Sequence, residues 1–177
     1  MKNYKEAIKH SMDFLAEDPK SVFIGYGVKT GTKGGGFFSD IPEDQLIETP
    51  IAEGLMLSMA MGLSLEGFKP IVFYERFDFI MNAMDALVNH LDKMSIISKK
   101  EYAPKAIIRC VVGGKATPFF TGVTHTRDHT EALRKMVGFP VLKPSTKEEV
   151  VEAYKQAYES PLSHIIVEEK DWYAKTR

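Results

Sequence analysis

Two hydrophobic rhythms alternate along this chain. Ala7, Ile8, Met12 and Leu15 recur at helical spacing and predict a first helix over residues 3–17. A short β-rich run, SVFIGYGV (21–28), then gives way to a glycine-rich loop, KTGTKGGG (29–36). QLIET leads into a second helix that begins near Pro50 and stops at Gly67. KPIVFYE (69–75) reads as a strand. Residues 77–98 read as one long helix with Phe79, Ala83, Met84, Leu87, Leu91 and Met94 along one side. KAIIRCVVGG (105–114) is a strand ending in glycines, and the loop KATPFFTGVTHTRD leads from it into a helix at 129–138. PVLKP is strand, a Ser145-x-x-Glu148 capping box opens a helix over 145–160, and SHIIVEE ends the series as strand.

Near-continuous apolar strands, each followed by a helix, predict an α/β fold: three layers, α/β/α, around a mainly parallel sheet covered on both faces. The whole chain, residues 1–177, reads as one domain, without repeat, linker or low-complexity segment. Ligands of such sheets bind outside the carboxyl ends of the strands. The loop at 29–36, Glu53 and the loop at 113–128 all belong near those ends.

Charge narrows the partners. The 23 basic and 24 acidic residues nearly cancel without a like-charged run, which argues against a nucleic-acid or anionic-membrane surface. The opening MKNYKEAIKHSMDFL is an amphipathic helix rather than an apolar signal segment. The longest apolar stretch, Gly54 to Leu65, is shorter than the about 20 residues a membrane span needs. The single cysteine, Cys110, lies in a strand pattern and has no partner for an internal disulfide, so a cytoplasmic protein is expected.

Glu53 is the anomaly. It heads a helix in which everything else from Ile51 to Leu65 is apolar or small. An acid is favoured at a helix N-terminus, but Thr49 stands four residues before it, one too many for a capping box. Burial among Ile51, Ala52, Leu55 and Met56 would strip the carboxylate of water and raise its pKa. No neighbour in the sequence offers a partner, and a ligand nitrogen would. The same helix carries Gly54, Ser58 and Gly62 on one face, a steric invitation either to its own sheet or to another backbone. His10, His90 and His164 are isolated. His125 and His129 sit where the long loop meets a helix, and with no third ligand in reach a contact to a bound molecule suits them better than a metal. GYGVKT lacks the third glycine of a dinucleotide fingerprint, and KTGTKGGG is not a P-loop.

Taken together, TPIAE, GFKPI, FDFI-x-x-AMD-x-x-VN and GFPVLKPST resemble, in order, the β subunit of the E1 component of 2-oxo acid dehydrogenases. They are also similar to the pyrimidine-binding domain of transketolases. The resemblance spans nearly the whole chain and implies a cofactor, thiamine diphosphate. Glu53 would hydrogen-bond the aminopyrimidine ring and promote its imino tautomer. Phe79 would stack on that ring. His125, with His129 as second choice, would contact a small-molecule substrate. Gly54, Ser58 and Gly62 would pack subunits together. Acidic residues that usually follow the first strand in E1 β subunits are replaced by Tyr26 and Gly27. The family's G-D-G and N-N pair, which holds Mg²⁺ and the diphosphate, does not occur in this sequence, nor does the C-terminal transketolase-type domain. The resemblance therefore implies a partner: a separate diphosphate-binding subunit carrying that pair and the Mg²⁺, joined with this chain in a heterotetramer that acts on a 2-oxo acid or a ketose. A non-catalytic subunit that kept the fold, and a truncated piece of a longer β subunit, are the alternatives.

Overall fold

The computed structural model describes residues 1–31, 33–115 and 122–173. Six strands, β1 (Ser21–Gly25), β2 (Leu46–Glu48), β3 (Lys69–Tyr74), β4 (Ile107–Val112), β5 (Val141–Leu142) and β6 (His164–Glu169), form one sheet in the order β2-β1-β3-β4-β6-β5. Every pair is parallel, as expected for this fold class. Among the described residues, no helix is long and apolar enough to cross a membrane.

Strand side chains alternate between two cores. Phe23, Ile71, Phe73, Ile107 and Val111 meet α1 (Tyr4–Ala16) and α5 (Lys147–Glu159) on one face. Val22, Ile24, Val72, Tyr74, Ile108 and Cys110 meet α2 (Glu53–Leu65), the segment after β3, and α4 (Thr130–Met136) on the other. The α2 helix ends in a Schellman motif: Phe68 N–H donates to Leu63 O, Gly67 N–H to Ser64 O, and Gly67 takes φ +86°.

Four readings need correction. QLIET contains a strand, β2, whose three residues are too few to show a period. The strand reading of 21–28 holds only as far as Gly25, because the chain turns at Gly27 with φ +75°. The helix at 145–160 is capped one residue later. Thr146 accepts from Glu149 N–H, and the Glu149 carboxylate accepts from both Ser145 N–H and its hydroxyl. Finally, 77–98 is not one α-helix but a 3₁₀ turn (Phe77–Ala83), a π segment (Asp85–Leu91) and a short helix α3 (Met94–Ile97). Phe77, Ile80 and Ala83 are the buried residues of the 3₁₀ turn, a period of three rather than 3.6.

Candidate active site

The chain leaves β1 toward the edge strand β2 and returns through α2 to β3 on the other side of β1. The strand order reverses there, and a crevice opens at the carboxyl ends. A cleft of about 400 Å³ occupies it, in the range of small-molecule sites. Tyr26 lines it from beyond β1, Glu53 and Met56 from α2, Phe73, Tyr74 and Glu75 from the end of β3, and Phe79 and Asn82 from the 3₁₀ turn.

Glu53 is the first residue of α2, and Ala52 before it offers no side-chain cap. The helix is anchored from the sheet instead: the Tyr74 hydroxyl donates to Glu53 O at 2.9 Å. Burial, and then the neighbouring Cys110 and Glu53, hold the Tyr74 pKa well above its ordinary value, so it stays a neutral donor. The Glu53 side chain is buried, and its protein partner comes from far along the chain, beyond the local neighbours that the sequence reading weighed. Asn82 Nδ2 donates to its Oε2 at 3.2 Å, across 29 residues of chain. Among the described residues no hydrogen bond reaches Oε1, and the carboxylate lines the cleft. Phe79 and Asn82 are three apart on a 3₁₀ turn, so their side chains eclipse and both reach the cleft. Sequence reasoning passed over Asn82 because the carboxylate it serves, Glu53, lies 29 residues away in the chain.

The two histidines separate. The His125 ring packs edge-on against Phe79, centroids 5.3 Å apart, at the rim of the cleft. Thr124 Oγ1 lies 2.8 Å from His125 Nδ1, and the backbone joins the end of β4 where Gly113 N–H donates to His125 O. His129 packs instead on buried Phe77, with Nε2 3.8 Å from Asp78. Residues 116–121, in the loop between β4 and His125, lie outside the described residues.

An acid does serve the turn after β1, although Tyr26 and Gly27 stand where acids were expected. Glu48, at the end of β2, accepts from the N–H groups of Gly27, Lys29 and Thr30. Burial pushes its pKa up, but these N–H bonds outweigh that and hold it below the usual carboxylate value. On α2, Gly54 faces Asn82 O, 3.4 Å from where a Cβ would stand, whereas Ser58 and Gly62 are exposed and do not pack on the chain's own sheet. Ile51, Leu55 and Leu65 are exposed around them.

With this geometry in view, comparison with known families decides the class: the sequence matches the pyrimidine-binding domain of transketolase over residues 1–175. The chain belongs to that family. Among curated relatives of this pyrimidine-binding domain, the pyruvate dehydrogenase E1 β subunit of Acholeplasma laidlawii is 28% identical over 151 residues, covering 80% of this chain and 44% of that protein. The corresponding subunit of Mycoplasma pneumoniae is 27% identical over 185 residues, covering 99% and 54%. The chain thus spans about half the length of the curated relatives it matches. In fold it is similar to a split-gene transketolase solved as an inactive β4 tetramer, with TM-score 0.74 and 19% identity over 95% of this chain and 51% of that one. It is also similar to the thiamine-diphosphate-dependent 4-hydroxybenzoylformate decarboxylase of Rhodococcus jostii RHA1, with TM-score 0.67 and 20% identity over 93% and 30%.

Proposed function

We propose that this chain is the pyrimidine-binding subunit of a split thiamine-diphosphate enzyme acting on a 2-oxo acid or a ketose. The observation that carries the reading is Glu53: a buried carboxylate at a helix head, one oxygen held by Asn82 and the other unbonded in a cleft beside an aromatic ring. These residues fit an aminopyrimidine. Glu53 Oε1 would share a proton with a ring nitrogen, Asn82 would keep the carboxylate aimed, and Phe79 would offer a face for stacking. His125, packed on Phe79, would hold or pass a proton of the substrate; the contacts of His129 with Phe77 and Asp78 make it the weaker choice. Bound thiamine diphosphate supplies the carbanion chemistry.

The rest of such a site would come from elsewhere. A partner subunit with the G-D-G and N-N pair would hold Mg²⁺ and the diphosphate. The exposed α2 face of Ser58 and Gly62, with Gly54 at its head, would be the packing surface of a heterotetramer. Glu53→Gln tests the reading in the complex purified through a tag on this chain. Assembly is expected to survive while turnover falls by orders of magnitude and cofactor affinity by isothermal titration drops. Unchanged turnover would refute the catalytic role. Purification as a lone chain that does not bind the cofactor would refute the split enzyme.

A further inference from the structure

We propose that a compact oxyanion, the size of inorganic phosphate or acetate, binds in a second cavity, beside the cleft, where Arg109, Arg76 and Lys170 converge under the glycine-rich loop. The cavity measures about 60 Å³ and is lined by these three cations with Gly34, Gly35 and Tyr173. One water occupies roughly 10–15 Å³ on this measure, so there is room for about four to six heavy atoms. Phe73 and Glu75 line both this cavity and the larger cleft, which makes the two neighbours.

The reason to expect an anion is the hydrogen-bond account of the two guanidinium groups. Arg109 is fully buried in β4. Its Nε and Nη2 donate to the Glu168 carboxylate at 2.8 and 2.7 Å, but among the described residues its Nη1 has no partner. Arg76, just beyond β3, donates from Nη1 to Glu75 O and Oε1, while its buried Nε has no partner among the described residues. Leaving a buried donor unpaired costs about 1–3 kcal/mol, and more when it is charged. Two such donors, one on β4 and one in the connection after β3, belong to residues that line the same cavity.

Arg109 cannot swing away to find another acceptor, because Phe37 and Phe73 sandwich its guanidinium at 4.6 Å each. Arg109 is matched by Glu168 and Arg76 pairs with Glu75, so the three cations lining the cavity exceed these two carboxylates by one charge. Burial, then repulsion from Arg76, holds the Lys170 pKa below the ordinary lysine value, with Glu75 and Asp171 acting the other way. A bound oxyanion would accept from both unpaired donors and offset that single positive charge.

The test is a titration of the full chain with inorganic phosphate, without thiamine diphosphate, against chloride at equal ionic strength. Calorimetry, the Arg76 Nε–H resonance and the fluorescence of Trp172, the sequence's single tryptophan, serve as readouts. Saturable 1:1 binding is expected. Arg76→Gln and Lys170→Met should each weaken it by about tenfold or more, as loss of a charged partner implies, with the urea midpoint little changed. A response no greater than that to chloride would overturn the proposal, and so would variants that bind like the parent. Acetate run in parallel sorts the ligand: saturation by both anions marks a site for any compact oxyanion, and saturation by phosphate alone marks a phosphate site. Since the cofactor is left out, the outcome is independent of the role proposed for Glu53.

Discussion

Glu168→Gln should be among the most damaging single changes in this protein. Arg109 and Glu168 are both fully buried and joined by a two-pronged pair. The hydroxyls of Tyr154 and Tyr173 donate to the same carboxylate at 2.7 Å each. Burial would lower the Arg109 pKa, but Glu168 outweighs it and holds the value above that of an ordinary arginine. Removing the carboxylate charge leaves a buried cation that cannot shed its proton. Breaking a buried pair from one side costs about 3–5 kcal/mol, a large share of the roughly 5–15 kcal/mol total of a domain. For a chain of this size that is a fall of about 6–20 °C in Tm.

The reverse change, Arg109→Met, leaves a carboxylate that keeps two tyrosine donors, so its deficit should be the smaller of the two. Urea unfolding followed by circular dichroism reads both. A deficit under about 1 kcal/mol for Glu168→Gln would refute the reasoning, since that is the scale of an exposed pair.

Three further outcomes are expected. Glu48→Gln should loosen the turn after β1, seen as faster hydrogen exchange at Gly27, Lys29 and Thr30. Because the folded pKa of Glu48 is depressed, the same loosening should appear in the parent as pH falls below the ordinary carboxylate value of 4.5 and through the depressed one. Asp128 has its pKa lowered from 3.8 to about 2: burial acts upward, but the bonds from Lys143 and Thr130 prevail. The stability it lends is present above the unfolded value and lost as pH falls from about 4 to about 2, so Asp128→Asn should flatten the acid-unfolding profile in that window. Asn82→Ala removes the donor to Glu53 Oε2 and should weaken thiamine diphosphate binding by about tenfold, by calorimetry on the assembled complex.

The parallel sheet was legible because its strands are buried on both faces and read as near-continuous apolar runs, such as Ile107–Val112. Glu53 was legible for the opposite reason, as the one charge in an apolar helix. What could not be read were the features that depend on contacts distant in sequence. Glu48 looks like any surface acid until β2 pairs with β1 and brings it to the amides of Gly27, Lys29 and Thr30. Arg109, between Ile108 and Cys110, looks like a polar interruption of a strand until β6 pairs with β4, setting Ile166 opposite Arg109 and Glu168 opposite Val111, within reach of the guanidinium.

The segment after β3 shows why the site and the irregular backbone coincide. In a regular α-helix over 77–98, a 3.6-residue period would leave Phe79 and Asn82 about 60° apart around the axis. Tightening to three residues per turn gives each row of side chains one direction: Phe77, Ile80 and Ala83 into the core, Phe79 and Asn82 into the cleft. Asn82 therefore meets Glu53 on the side where Phe79 presents its ring. The π segment that follows is wound more loosely, and it carries Leu87 and Leu91 back into the core. A 3₁₀ turn is the poorer hydrogen-bonded geometry, and here it is the one that puts a carboxylate, its carboxamide support and an aromatic face on one cleft.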